Sequence, residues 1–482
     1  MEKKGLTIAG KPAMKVLALP LAVALLLFFM LIPMGPDVSR EAQNCIAVFF
    51  FFIVIFVAEP WPMALSCAMV LPVLLIFKVC NTSMFLKNGV QDSIFTILAS
   101  FVIAAAMIKS NLGKRLTLTV LSKFGFSTKG ITLGIVIVNI LLCVTTSSFV
   151  CRYVILSPIV ISLIDACKNP KAPESSKFAK NIMMTTIATN LTMTASTYTS
   201  LNLIAQMMGM LEGYGLPTYD YAQYIRIAFP VCLVLTVASW AFIQIIFKPD
   251  KDDISDVADK TIITGQLKEM GKITPNEVRT AYAVILAFLG YVFGGKIGFS
   301  IPGVTLAAAT LLTLPGIGFL TYEDWKKEIN WSMFFIVSGS VALGGILYET
   351  GAAAVIGNFI YTTLGFSKMG YAVGVLVFAI VVNYMHVLFV GTGPMTSAFI
   401  PITVGLCLST GWHGSMIAIG IEILIVASSL MLFCSNTVTL MMMGTNKVEA
   451  NDFIKYGFPF AIISAVIVWL AVLFYWPTLG IF

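Results

Sequence analysis

A short polar stretch with one arginine interrupts a long apolar segment, and its residue types suit the binding of an anion. The hydroxyl residues 145–148 and Arg152 lie inside an otherwise apolar run that covers residues 131–164. An arginine near the centre of a bilayer costs roughly 2.5–3.5 kcal/mol, so it normally faces the protein interior and has a partner. Small hydroxyl groups can satisfy the backbone where a helix is broken at membrane depth. We interpret this stretch as half of an anion-binding site; in the structural alternative, Arg152 snorkels or pairs with another helix.

A second interruption combines two glycines with a proline. In Gly391-Thr392-Gly393-Pro394, the glycines loosen the backbone and the proline removes a hydrogen-bond donor. The functional interpretation is an unwound loop that holds the substrate. The structural alternative is a kink that serves helix packing.

Two further interruptions, at residues 192–202 and 428–439, contain amide and hydroxyl side chains that suit Na+ or a carboxylate. Taken alone, such residues in membrane helices more often bond to neighbouring helices. The clustering of four interruptions favours a binding centre instead. Helix N-termini at such a centre attract an anion, and unwound carbonyl groups can hold a cation.

Two other ionisable residues lie in apolar segments. Glu422 is an intramembrane acid and therefore a functional candidate, either as a proton carrier or as the ion-pair partner of Arg152. For His386, a satisfied structural role is favoured over a proton relay.

The composition defines the class of protein that must position these residues. Of the 482 residues, 58% are hydrophobic and 11% are charged, which is too apolar for a soluble protein of this length. Apolar stretches of about twenty residues predict membrane-spanning helices and exclude an outer-membrane barrel, whose strands have about ten residues. The net charge of +7 falls mainly in loops, so it indicates topology and not affinity for nucleic acid.

Other classes of protein lack their motifs in this sequence. The nine cysteines form no CxxC pair, which argues against a disulfide framework or a metal site. No HExxH or GxSxG motif is present, so an enzyme is not expected. Lysines 3, 4, 11 and 15 precede the first apolar run and predict a cytoplasmic N-terminus.

The chain repeats itself at half its length. The segments that begin at Ser93 (SIFTILASFVIAAAMIKSNLG) and Ser332 (SMFFIVSGSVALGGILYETG) resemble each other, and Gly-Phe-Ser follows at residues 125–127 and 365–367. Such a repeat is typical of transporters in which discontinuous helices hold substrate near the midplane of the bilayer. We predict an all-α polytopic membrane protein of two inverted repeats with re-entrant hairpins and discontinuous transmembrane helices.

The repeat also suggests how the chain is divided. Residues 1–247 form the predicted first half, residues 248–276 a polar linker and residues 277–482 the second half. Within the first half, the apolar part of residues 92–123 is too short to cross the membrane and return, so this segment is interpreted as a re-entrant hairpin or short helix pair.

The order and spacing of these motifs resemble the divalent anion:sodium symporter (DASS) family, which includes carriers of succinate, citrate, tartrate and related acids. The resemblance covers nearly the whole chain. It rests on residues 111–115, the break before Pro158, residues 197–202, residues 329–332, the Gly391 break before Pro401, and the final span after residues 456–457.

The family carries a Ser-Asn-Thr signature at each hairpin tip. Here the first signature aligns with residues 148–150 and keeps only the serine, while the second aligns with residues 391–393. A literal Ser-Asn-Thr at residues 435–437 falls at the later break of the second half. Ser148 followed by Cys151 and Arg152 is similar to the Ser-Asn-Thr-Ala-Arg of the di- and tricarboxylate exchanger branch. Because a guanidinium can bind a carboxylate in two hydrogen bonds and keeps its charge, the resemblance favours anion exchange slightly over Na+ symport.

The resemblance and the polar breaks together predict a site and a mechanism. The predicted substrate-binding residues are Ser148, Arg152, Thr197, Asn202, Thr392 and Thr437, and the predicted cation-binding residues are Thr146, Gly391 and Asn436. We expect a secondary transporter of small di- or tricarboxylates in the bacterial inner membrane, working by alternating access in an elevator-like movement. The resemblance implies a homodimer, and an anion channel is the alternative of another class. No cofactor is expected apart from Na+ as a possible coupling ion.

Overall fold

A computed structural model describes residues 7–8, 11–36, 38–124, 127–146, 148–167, 169, 171–249, 261–294, 298–389, 391–432 and 435–482. Several predicted features lie partly or wholly outside these residues. They are the first Gly-Phe-Ser motif, the hydroxyl of Ser147, the residue Val390 and much of the polar linker.

The first half begins with two short antiparallel strands, β1 (Thr7–Ile8) and β2 (Lys11–Pro12), and continues with helices. Its helices are α1 (Ala13–Leu31), α2 (Arg40–Ala58), α3 (Met63–Ala68), α4 (Val70–Ile76), α5 (Thr82–Gly89), α6 (Asp92–Lys109), α7 (Leu112–Leu121), α8 (Thr128–Thr145), α9 (Phe149–Cys167), α10 (Lys177–Thr194), α11 (Asn202–Gly213) and α12 (Tyr221–Ile246).

In the second half, three helices precede the part that repeats the first half. Its helices are α13 (Thr261–Glu269), α14 (Pro275–Phe293), α15 (Ile301–Leu311), α16 (Tyr322–Glu328), α17 (Trp331–Glu349), α18 (Ala352–Thr363), α19 (Tyr371–Met385), α20 (Thr392–Thr410), α21 (Gly414–Ala427), α22 (Thr437–Met443) and α23 (Ala450–Leu470). Short 3-10 turns cover Phe366–Lys368, His386–Leu388 and Trp476–Leu479. The helices α5 to α12 correspond one by one to α16 to α23.

Eight helices of the described residues are long and apolar enough to cross a membrane. They are α2, α8, α9, α12, α17, α19 with its 3-10 turn, α20, and α23 with the turns that follow it. The bent pair of α5 and α6 would make a ninth. These lengths agree with the predicted polytopic membrane protein.

The equivalent helices α6 and α17 run in opposite directions. Nζ of Lys109, the last residue of α6, lies 2.8 Å from a carboxylate oxygen of Asp324 in α16, just before α17. Nζ of Lys87 in α5, just before α6, lies 3.0 Å from a carboxylate oxygen of Glu349, the last residue of α17. The end of each helix therefore lies beside the start of the other. This arrangement confirms the predicted inversion of the two halves.

Helices α8 and α9 form the first re-entrant hairpin. The side-chain amide of Asn139 donates to the carbonyl oxygen of Thr186 at 3.0 Å, and Cys143 Sγ contacts the carbonyl oxygen of Met193 at 2.8 Å. These contacts show that α8 and α10 run in the same direction. The start of α9 instead lies beside the end of α10, where Arg152 bonds to it, so α9 turns back along α8.

The tip of this hairpin lies where the resemblance aligned the first signature, at residues 148–150. Residues 92–123, interpreted as a re-entrant hairpin or short helix pair, form a pair of helices, α6 with 18 residues and α7 with ten. Charged side chains at the ends of a helix such as α6 can extend to the membrane surface. The segment 131–164 is accordingly a hairpin and not a broken span.

Helices α19 and α20 form the equivalent hairpin of the second half. Nδ1 of His386, next to the end of α19, lies 3.1 Å from Oγ of Ser428 at the end of α21. The far end of α20 reaches the start of α21 through a short turn. Helix α20 therefore runs against both α19 and α21, as α9 runs against α8 and α10.

The two discontinuous helices occupy the centre of the protein. Helix α10 continues into α11 after a break at residues 195–201, and α21 continues into α22 after a break at residues 428–436. Nearly every residue of α10 and every residue of α21 except Gly414 is buried. Both helices are surrounded by other helices on all sides, so their breaks lie inside protein, where irregular backbone is tolerated.

Candidate functional site

The four interruptions predicted from the sequence meet around one cavity of about 380 Å³. This volume falls in the range of small-molecule sites, roughly 300–1,000 Å³. The predicted residues that line it are Ser148, Asn202, Thr392, Thr437, Gly391 and Asn436. Both hairpin tips and both helix breaks therefore contribute to the same cavity.

Three long helices begin at the cavity wall, beside the seven-residue α22, which begins there at Thr437. The first residues of α9, α11 and α20 are Phe149, Asn202 and Thr392, and all three line the cavity. The first turn of a helix has free N–H groups and carries a partial positive charge. Their convergence creates a positive environment without a lysine or arginine among the described lining residues.

The backbone of the second hairpin tip has a conformation that favours glycine. Gly391 has φ 101° and ψ 153°, a region that residues with a side chain rarely adopt. This conformation allows the chain to leave the 3-10 turn at His386–Leu388 and start α20 at the cavity wall.

Side chains at the other interruptions are ordered by local hydrogen bonds. Oδ1 of Asn436 accepts from the N–H of Thr439 at 3.0 Å and caps α22. Oδ1 of Asn202 accepts from Oγ of Ser100 in α6 at 3.3 Å. The polar residues are thus held at the wall before any ligand arrives, which favours binding.

The structure does not bring Arg152 to the cavity. Its side chain is fully buried behind the first hairpin tip, where Nε donates to Oδ1 of Asn190 at 2.8 Å and Nη2 donates to Oγ1 of Thr194 at 2.5 Å. Nη1 donates to the carbonyl oxygens of Thr146 and Ser200 at 2.8 and 3.1 Å. These four acceptors are neutral, and together they tie the hairpin tip to the break in the neighbouring helix.

Two other predicted residues also lie away from this cavity. Thr146 lines a separate cavity of about 30 Å³, which also touches Thr145, Thr199 and Ser100. The hydroxyl of Thr146 donates to the carbonyl oxygen of Leu142 at 2.6 Å. Thr197 is buried in the first break, where its N–H donates to Oγ of Ser200 at 3.2 Å.

Glu422 is not the partner of Arg152. Its carboxylate oxygens lie 3.1 and 3.0 Å from Oγ1 of Thr396, one turn beyond the cavity residue Thr392 in α20. Glu422 is fully buried, and the hydroxyl is its hydrogen-bond partner in the part of the chain that the structure describes. Nδ1 of His386 bonds to Ser428, while its buried Nε2 has no hydrogen-bond partner among the described residues, so the predicted satisfied role is met at one of the two ring nitrogens.

A second set of cavity residues lies outside the four interruptions and was not predicted from the sequence. We call this set the scaffold wall; it consists of Glu59, Met63, Phe101, Asn330, Met333 and Ile336. Burial raises the pKa of Glu59, and the positive charge of Lys15 acts in the opposite direction. An acid directly after the span α2 was the one signal in the sequence that pointed to this wall.

Two inverted repeats around a central cavity lined by hairpin tips and helix breaks are the architecture of a multi-pass membrane transporter. The profile of the family described as "Sodium:sulfate symporter transmembrane region" matches residues 13–482. The chain belongs to this family, the divalent anion:sodium symporter family that its motifs resemble, and is therefore a transporter and not an enzyme.

Individual proteins agree with this assignment. The chain is 27% identical to the putative malate transporter YflS of Bacillus subtilis, over 74% of this chain and 75% of that protein. It is 24% identical to the sodium-dependent dicarboxylate transporter SdcS of Staphylococcus saprophyticus, over 95% and 91%. The crystal structure of the YdaH transporter of Alcanivorax borkumensis, described as having an unusual topology, matches with a TM-score of 0.51 over 96% of this chain and 98% of that chain. At 10% identity, this last likeness concerns the fold alone.

Proposed function

We propose that the protein is a secondary transporter of small di- or tricarboxylates, of the succinate, malate, tartrate or citrate class, that works by alternating access. The observation that carries the proposal is the convergence of α9, α11 and α20 on one cavity, because their positive ends suit carboxylate groups. The names of YflS and SdcS, which refer to malate and dicarboxylates, support the same class of substrate.

In this proposal, some of the predicted residues contact the substrate and others position those that do. Ser148, Asn202, Thr392 and Thr437 supply hydroxyl and amide groups to the substrate, since all four line the cavity. Arg152 and Thr197 act on the substrate indirectly, by fixing the tip and the break that carry the lining residues.

Exchange of one anion for another is the coupling that the Arg152 geometry favours. Unwound carbonyl groups are the usual ligands of a coupling cation at a helix break. Here the carbonyl groups of Thr146 and Ser200 already accept hydrogen bonds from a permanent cation. The guanidinium then supplies at this tip the positive charge that Na+ supplies in a symporter.

Na+-coupled symport is the second candidate. It is favoured by the description of the family and by the name of SdcS. Its cation would bind near Gly391 and Asn436 at the second tip, or in the small cavity beside Thr146, which has space for a single ion or water. An anion channel, the alternative of another class, would show neither saturation nor stimulation by substrate on the far side.

The proposal also covers the oligomeric state, the membrane and the domain organisation of the protein. We propose that it forms a homodimer in the bacterial inner membrane with a cytoplasmic N-terminus. We also propose that residues 1–247 and 277–482 act as the two halves, with residues 248–276 as the linker between them.

The test is uptake of radiolabelled succinate into proteoliposomes, with and without internal succinate and with and without a Na+ gradient. Uptake that requires internal succinate and is independent of Na+ would support exchange. Uptake into empty vesicles driven by Na+ would support symport and contradict exchange. If succinate, malate, tartrate and citrate all fail under both conditions, the protein is not a carboxylate transporter.

A further inference from the structure

The cavity contains a negative charge that an anion site would not be expected to need. Among the described residues that line it, Glu59 is the one with an ionisable side chain. The rest of the scaffold wall consists of apolar side chains and the amide of Asn330. A substrate held by the helix starts therefore shares its cavity with a carboxylate.

The backbone position of Glu59 is unusual for an acid. Glu59 ends α2 in the left-handed conformation, with φ 42° and ψ 57°, and its N–H donates to the carbonyl oxygen of Ile55 at 2.9 Å. Helices commonly end in this conformation with glycine or asparagine, because a longer side chain makes it less favourable. Glycine would adopt this backbone conformation more readily, so the fold of the protein does not require an acid at this position.

The surroundings of Glu59 bear on its charge state. Its side chain is half-buried at the cavity wall, and Lys15 at the start of α1 is close enough to favour the carboxylate. Lys15 is itself exposed and does not line the cavity. Within the described cavity, the charge of Glu59 therefore acts on the substrate without an intervening cationic side chain.

We propose that Glu59 selects substrates by charge, admitting dicarboxylate dianions and disfavouring tricarboxylate trianions. This inference rests on the proposed function and deepens it. The repulsion from one fixed carboxylate grows with each negative charge that the substrate carries. A cavity of about 380 Å³ is large enough for both succinate and citrate, so size alone would not separate them. An unfavourable contact with one of the two acids can provide the specificity instead.

The experiment compares exchange of internal succinate for external citrate with exchange of succinate for succinate, in proteoliposomes at about pH 8, where carboxyl groups are ionised. In the wild-type protein, the citrate-to-succinate ratio should be low. Glu59→Gln removes the charge and keeps the shape, so the ratio should rise about tenfold. Glu59→Asp keeps the charge and should leave the ratio low.

The matched control is Glu323→Gln, which removes an exposed acid of α16 that lies outside the cavity. It should leave the ratio at the wild-type value. Succinate exchange in each preparation reports whether the variant is folded and active. A ratio that stays unchanged or falls in Glu59→Gln, with succinate exchange present, would overturn the inference.

A second variant keeps the inference testable if Glu59→Gln does not fold. Glu59→Gly removes the charge at a position whose left-handed backbone suits glycine, so the citrate-to-succinate ratio should rise as in Glu59→Gln. No change in this variant would also contradict the inference. If the wild-type protein exchanges neither acid, the proposed function itself fails, which is a distinct result.

Discussion

Nη1 of Arg152 donates a hydrogen bond of 2.8 Å to the carbonyl oxygen of Thr146, so the first turn of α9 holds the tip of its own hairpin. The same guanidinium reaches Asn190, Thr194 and Ser200, all in or next to the broken helix α10. Binding four neutral acceptors lets a buried cation stay charged, and it joins two of the elements that build the cavity.

Arg152→Lys should therefore destabilise the protein although it keeps the charge. A lysine ammonium has three donors on one atom and cannot span acceptors on both sides of the hairpin tip. We expect a loss of about 2 kcal/mol or more, since each buried hydrogen bond to a charged group is worth roughly 1.5–3 kcal/mol. Thermal unfolding in detergent measures the loss. The control Arg226→Lys alters an exposed arginine of α12 and should leave the melting temperature unchanged; equal melting temperatures for both variants would contradict the prediction.

Gly391→Ala should impair both stability and transport. The alanine side chain would be strained by roughly 1–3 kcal/mol at φ 101° and ψ 153°, so the second hairpin tip would shift. Melting temperature and succinate exchange should both fall. Gly393→Ala is the matched variant, because Gly393 lies in α20 and its added carbon would meet Leu203 Cδ2 at an ordinary 3.8 Å. If both variants keep the wild-type melting temperature, the conformation of the tip does not depend on glycine.

Asn202→Ala should weaken substrate binding more than it weakens the fold. Asn202 begins α11 at the cavity wall, and removing its amide would cost roughly 1–2 kcal/mol, or about 5- to 30-fold in KM. Saturation curves for succinate exchange give the KM. Asn358→Ala, at an exposed position of α18, should keep the wild-type value. An unchanged KM in Asn202→Ala would remove this residue from the proposed site.

Asp324 should make stability depend on acid pH. The hydrogen bond from Lys109, helped by the N–H of Thr321, lowers the pKa of Asp324 to about 2. Because the folded pKa lies below the ordinary value of about 3.9, the stabilisation is complete above pH 4 and is lost as the pH falls towards 2. The wild-type protein should melt above Asp324→Asn at neutral pH, and the gap should close between about pH 4 and 2.

The comparison for Asp324 is Glu323→Gln, which alters the neighbouring and more exposed acid of the same helix. Its melting temperature should differ little from the wild-type value at neutral pH, since exposed ion pairs contribute little. A gap between wild type and Asp324→Asn that is constant from pH 7 to pH 2 would show that the Lys109 pair does not couple folding to protonation.

The sequence was informative where polar residues break apolar runs. The tips at Ser148 and Gly391 and the breaks at Asn202 and Thr437 meet at the cavity because interrupted helices at membrane depth survive only inside protein. The repeat was also predictable, since the two halves carry the same motifs in the same order, whereas their inversion is shown by the ion pairs between α5–α6 and α16–α17.

Neither the turn between α8 and α9 nor the direction in which Arg152 points follows from the pattern of apolar and polar residues alone. Helices α8 and α9 are each long enough to cross a membrane, so length alone does not reveal that the chain turns back between them. An arginine beside a predicted anion site can point into the site or behind it, and the choice depends on acceptors about 40 to 50 residues away, such as Asn190 and Ser200. Glu59 was missed because the scaffold wall comes from helices with no polar break.

The ion pairs Lys109–Asp324 and Lys87–Glu349 lie near opposite ends of α6, an 18-residue helix about 27 Å long. The two pairs therefore fasten the halves at opposite ends of this helix, and in both pairs the base comes from the first half and the acid from the second. Because both pairs are partly exposed, high salt should weaken the two fastenings between the halves together.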